Sequence, residues 1–184
     1  MLAGKLNPQV SIDYDTTEKI FETTVTGSAV TSIDITGLFG NTDEVYELDC
    51  NIINGYSGAI LVGVRPNNDT TDANYGFQQL YGRSTTIAAQ RGTSNPGIYI
   101  ASISTVDYYS QGRMILYAKS GYIRTALNEH STSVAGTTVT YIQTFGSSWN
   151  NTADEITSLT VVSNQTGGLG IGSVISLYRK VSAA

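Results

Sequence analysis

Apolar and polar residues alternate with a period of two along most of this chain, and few windows carry the spacing of an amphipathic helix. Successive strand side chains point to opposite faces, so the pattern predicts strands. They fall at VSIDYD (10–15), KIFETTV (19–25), AVTSIDIT (29–36), EVYELDCNII (44–53), AILVGVR (59–65), GFQQLYG (76–82), GIYIASIS (97–104), GRMILYAK (112–119), TTVTYIQTF (137–145), ITSLTVV (156–162) and SVISLYRKV (173–181). In AILVGVR both faces are apolar, so this strand belongs inside, covered on two sides. In SVISLYRKV one face holds Ile175, Leu177 and Val181 while the other carries Ser176, Tyr178 and Lys180, which suits a half-exposed strand.

Turn chemistry separates these segments: GNTD (40–43), NGYSG (54–58), PNNDTTDAN (66–74), TSNPG (93–97), SSWNNTAD (147–154) and NQTGGLG (164–170). GRSTTIAAQRGTSN (82–95) reads as a short helix or a long loop. Many short strands at regular spacing predict an all-β antiparallel sandwich, jelly-roll-like, of about 8–11 strands. No repeat or linker divides the chain, so residues 10–184 are expected to form one domain behind an arm of residues 1–9.

Composition agrees with that class. Charged residues make up 14% of the 184 residues and hydrophobic ones 40%, the missing charge being replaced by Thr, Ser, Asn and Gly. A net charge of −5 with ten Lys and Arg provides no basic face, which argues against nucleic-acid binding. The first fifteen residues contain no apolar core of a signal peptide, and no run approaches the length of a membrane span. The expectation is a chain neither exported by a standard signal nor anchored, so the sequons at Asn68, Asn150 and Asn164 are chance matches.

The glycine run GGLGIG (167–172) lacks the third glycine of a dinucleotide loop, and the segment after it alternates as a strand. No helix N-terminus is available there for a phosphate, so the run is read as a hairpin or bulged turn between the last two strands. The single histidine, His130, lies in TALNEHSTSV, read as a solvated loop; the single cysteine, Cys50, shares a strand face with Tyr46, Leu48 and Ile52. One His and one Cys cannot build a structural zinc site, and no Gly-x-Ser-x-Gly elbow accompanies the histidine.

Hydrolysis of a glycoside needs two carboxylates across the sugar. Asp43 with Glu44, Glu47 with Asp49 and Asp154 with Glu155 are the available pairs; Glu47 and Asp49 lie about 7 Å apart on one strand face. The loop around Asn67, Asn68, Asp69, Asp72 and Asn74 is rich in oxygen but has no EF-hand spacing. We therefore expect no catalytic residues, cofactor or metal. Twelve tyrosines against four phenylalanines and one tryptophan suit subunit interfaces and sugar-binding surfaces alike. Trp149, in a turn, is read as a plug over one end of the sandwich.

The C-terminal third carries a pattern of its own: ITSLTVVS, a Gly-rich turn, then Gly-Ser-x-Ile-x-Leu-Tyr. Through Ile156, Leu159, Val161, Gly170, Gly172, Ser173, Ile175, Leu177 and Tyr178 it resembles the end of many tailed-bacteriophage virion proteins, and TGLFGNTDEVYELDCNII looks like a strand pair found in them. Collagen-like repeats and heptads are missing, which favours a compact knob over a shaft. The resemblance implies a non-enzymatic structural protein of the virion, assembled in the host cytoplasm as a homotrimer. The first expectation is a capsid decoration or cement protein bound to the phage major capsid protein through Leu2, Leu6 and Val10 of the arm and through Tyr108 and Tyr109. The alternative is an adsorption module of a tail or fibre tip, contacting a host surface glycan through Trp149, Asn68, Asp69 and Asp72.

Overall fold

The computed structural model describes residues 16–134 and 136–181. They form twelve strands: β1 (Thr16–Thr24), β2 (Ser32–Thr36), β3 (Val45–Ile53), β4 (Ile60–Pro66), β5 (Tyr75–Arg83), β6 (Thr86–Gly92), β7 (Ile98–Ile103), β8 (Tyr109–Tyr117), β9 (Arg124–Ser133), β10 (Val139–Trp149), β11 (Ser158–Ser163) and β12 (Val174–Val181). GNTD closes into a one-turn helix, Gly40–Asp43, and Asp72–Asn74 into a 3₁₀ turn. The predicted strand at 10–15, the arm and its Leu2, Leu6 and Val10 lie outside the described residues.

The strands build two antiparallel sheets, ordered β1-β12-β3-β8-β9-β10-β5-β6 and β2-β11-β4-β7. Two pairs of strands can be set aside: β5–β6, inserted between β4 and β7, and β9–β10, inserted between β8 and β11. What remains crosses between β1-β12-β3-β8 and β2-β11-β4-β7 at every step except from β4 to β7, which are neighbours in the second sheet, and this is the winding of an eight-stranded jelly roll. The two inserted hairpins lengthen the first sheet to eight strands while the second stays at four. Half of the longer sheet therefore overhangs.

Where the two four-stranded layers face each other the core is largely apolar. β3 contributes Tyr46, Leu48, Cys50 and Ile52, β8 Met114 and Leu116, and β12 Ile175 and Leu177; opposite them stand Ile35, Leu159, Val161, Ile60, Val62, Val64, Ile98 and Ile100. Each comes from alternate positions of its strand, as the period-two pattern requires. β4 lies between β11 and β7 with both faces largely covered, as its sequence implies.

Three expectations need correcting. The segment around His130 is strand β9, and His130 is 3% exposed. Residues 82–95 hold the edge strand β6 behind a tight turn at Ser84 and Thr85. The glycine run is not a hairpin, because β11 and β12 belong to different sheets. It carries the chain from one layer to the other: buried Leu169 bridges to Val30 and Asn54, and a Cβ on Gly168 would stand 1.9 Å from Ser163 Oγ. Close backbone packing, not phosphate, explains these glycines.

Candidate functional site

β7 is the last strand of the shorter sheet, so one row of its backbone groups has no neighbouring strand. The inward side chains of β9 meet that row. Asn128 Nδ2 donates to the carbonyls of Tyr99 (3.3 Å) and Ile100 (3.0 Å), His130 Nε2 accepts the Ser102 N–H (3.3 Å), and Thr132 Oγ1 donates to the Ser102 carbonyl (3.3 Å). Polar side chains are needed here because they face an open sheet edge rather than another apolar layer. Burial lowers the His130 pKa to about 4, so the ring is neutral and its Nε2 is free to accept. The Gln143 amide beside it opposes that shift, though neither His130 Nδ1 nor Gln143 Oε1 reaches hydrogen-bonding geometry.

Beyond β7 the inner face of the overhang opens into a cleft of about 690 Å³. Its floor is a grid set by the strand register. Tyr141 on β10 pairs with Arg83 on β5, which pairs with Thr86 on β6; Gln143 pairs with Tyr81; Phe145 pairs with Gln79, which pairs with Gln90. Phe77 meets Tyr99 and Phe145 edge-to-face, Tyr99 and Phe145 are tilted to each other, all with centroids 5.1–6.0 Å apart, and His130 stacks on Phe145 at 5.6 Å. Gly92 makes room for this cluster, since a Cβ there would come within 2.5 Å of the Phe77 ring. Gln79, Asn95 and Gln143 are buried, and Gln143 Oε1 has no hydrogen-bond partner. No carboxylate is among the described residues that line the cleft.

The residues singled out by sequence lie elsewhere. Trp149 is 1% exposed, stacked under the Arg124 guanidinium, and its Nε1 donates to Asp69 Oδ2 at 2.8 Å. Its ring faces are covered, and it joins the buried core as the last residue of β10. Burial pushes the Asp69 carboxyl upward, but donation from Trp149, Asn74 and Thr71 outweighs burial and holds its pKa below the usual value. That carboxylate is committed to the loop. Asn68 and Asp72 sit exposed in the same loop and are not among the residues lining the cleft, although the Asp72 carbonyl accepts the N–H of the lining residue Asn95. Tyr108 is half-buried against the core, while Tyr109 is 54% exposed at the start of β8.

Glu47 and Asp49 both contact Arg113 Nε, at 3.2 and 2.9 Å, so the acid pair on one strand face is tied up in a shared ion pair. Among the described residues no group of three or more His, Cys, Asp or Glu could hold a metal ion. No helix there is long and apolar enough to cross a membrane.

Sequence reasoning missed the cleft because it looked for chemistry in loops. The available signal was an inverted strand pattern. Gln79, Asn128 and Gln143 occupy inward positions while their neighbours Leu80, Leu127 and Ile142 point outward and are exposed.

No family model matches this chain, and no curated protein is similar to it. Among solved structures it has a remote likeness to a GH43 glycoside hydrolase engineered to display both endo-xylanase and exo-arabinofuranosidase activity. That likeness has 10% identity and a TM-score of 0.30 over 88% of this chain and 36% of the other. A second is to the infectious bursal disease virus VP2 subviral particle, with 11% identity and a TM-score of 0.10 over 100% of this chain and 46% of the other. The chain thus spans less than half the length of either, and likenesses this remote carry no argument about activity.

Proposed function

We propose that this chain is a non-enzymatic carbohydrate-binding module whose ligand lies in the cleft of the overhang. The observation that carries this reading is the cleft's make-up: half-buried aromatic rings beside buried amides, with no acid among the residues that line it. A sugar presents apolar C–H faces and a rim of hydroxyls. Tyr81, Tyr141 and Phe77 suit the faces, and Gln79, Gln90, Asn95 and Gln143 suit the hydroxyls. Gln143 Oε1 is enclosed and unpaired, at a cost of about 1–3 kcal/mol that turning the amide toward a sugar hydroxyl in the cleft would offset. Without a carboxylate pair the cleft holds a glycan but supplies no acid and base to cleave it. The setting suggested by the resemblance is an adsorption module of a phage tail or fibre tip that takes a host surface glycan.

The test is retention on a panel of immobilised oligosaccharides by the intact chain and by Tyr81→Ala and Gln143→Met variants of matched thermal stability. Specific retention that both substitutions weaken is expected. A chain that retains no oligosaccharide would overturn the reading.

A second reading, capsid decoration, is favoured by the opposite face of the same overhang. Leu80, Ile87, Leu127 and Ile142 are 58%, 80%, 53% and 65% exposed there, and clustered exposed apolar residues mark interaction surfaces. Under that reading the chain assembles as a homotrimer on the major capsid protein. A difference map of particles with and without it would then show density across the head lattice rather than at the tail tip.

A further inference from the structure

We infer that the ligand of the cleft is an acidic glycan, its anionic group held by Arg83; this builds on the carbohydrate reading above. Arg83 ends the inward column of β5, between Tyr141 of β10 and Thr86 of β6. Its guanidinium carbon stands 5.1 Å from the centre of the Tyr141 ring. That contact holds the plane in place without using its N–H donors. Among the described residues, no hydrogen bond or ion pair engages the Arg83 guanidinium.

Most other described arginines are committed. Arg113 is bound to Glu47 and Asp49, Arg179 to Glu18 and Asp43, Arg124 to the carbonyls of Ala118 and Asn151, and Arg65 to the Pro96 carbonyl. Arg91 is the exception, and it points to the outer side of the sheet with its partner Gln78. So the one charge lining the cleft is an uncommitted cation, in a chain of net charge −5. The overall field does not draw anions in. An acidic ligand would be recognised locally, by the planar fork that matches carboxylate, phosphate or sulfate oxygens. Arg83 and Tyr81 are two positions apart, about 7 Å along the strand, and Gln143 pairs with Tyr81. One sugar ring lying on Tyr81 can therefore place an acid group at Arg83 and a hydroxyl at Gln143.

The experiment compares the full chain with Arg83→Ala and Arg91→Ala on oligosaccharides that are neutral, carboxylated, phosphorylated or sulfated, with methyl-esterified forms of the carboxylated set. Arg91→Ala removes the same charge from the same hairpin on the other face. We expect acidic oligosaccharides to be retained and Arg83→Ala to weaken them about tenfold or more. Arg91→Ala should bind as the unaltered chain does. Loss on esterification would identify a carboxylate; retention of the phosphorylated or sulfated set alone would identify those groups. Equal retention of neutral oligosaccharides, undisturbed by Arg83→Ala, would overturn this inference and leave the carbohydrate reading standing. Retention of none would overturn both.

Discussion

Acidification from neutral pH to about 4 is expected to remove roughly 3 kcal/mol of stability through His130 alone. The side chain is 3% exposed, stacked on Phe145, and accepts the Ser102 N–H at Nε2. Burial lowers its pKa from 6.5 to about 4. The unfolded chain therefore takes up a proton as pH falls through 6.5, while the folded chain stays neutral until about 4. Across that window the unfolded state binds more protons, so stability falls with pH. At 1.36 kcal/mol per pH unit, the interval from 6.5 to about 4 gives the figure above. Carboxylates titrate at the lower end too, so the informative quantity is the difference between the unaltered chain and His130→Gln. Urea denaturation of both at a series of pH values supplies it. His130→Gln is expected to be the less stable protein at neutral pH, and the gap is expected to close or reverse on acidification. A gap that stays constant would refute the reasoning, because it would mean His130 takes up its proton equally in both states.

Further expectations concern the cleft and its supports. Gly92→Ala, which drives a Cβ against Phe77 and Asn95, should cost about 1–3 kcal/mol in a thermal melt and reduce ligand binding. Gly146→Ala, with nothing within 4 Å of the added Cβ, should be neutral or slightly stabilising. Asp69→Asn weakens the acceptor shared by Trp149, Asn74 and Thr71, and should cost about 1–3 kcal/mol, read from Trp149 fluorescence during unfolding. Because the folded Asp69 pKa lies below 3.8, its contribution is present above that value and is lost as pH falls through the folded pKa. Cys50 is buried, and burial pushes its thiol pKa up. It should stay unmodified by thiol reagents until the protein is unfolded.

The jelly-roll half was legible in the sequence because its strands do what the alternation rule assumes. In β3, Tyr46, Leu48, Cys50 and Ile52 all turn inward against another apolar layer. The overhang obeys a different physics. β9 turns Asn128, His130 and Thr132 inward, since what they meet is the open backbone edge of β7. β5 and β10 turn Gln79 and Gln143 inward, since what they meet is the cleft. Reading hydrophobicity alone inverts these faces, and with β9 it erased the strand altogether. Trp149 shows where sequence leaves two readings open: it reads first as a plug and only in the alternative as a sugar contact, and its place at the foot of β10, under Arg124 and beside Asp69, buries it away from any sugar.

The most direct test of the cleft as the ligand site is a residue-resolved NMR titration of the full chain with the oligosaccharide it retains best. The expected result is amide and side-chain shifts concentrated at Tyr81, Arg83, Gln90 and Gln143, with Leu80, Ile87 and Ile142 on the outer face unmoved. Shifts confined to that outer face, or to the loop around Asn68 and Asp72, would contradict the account.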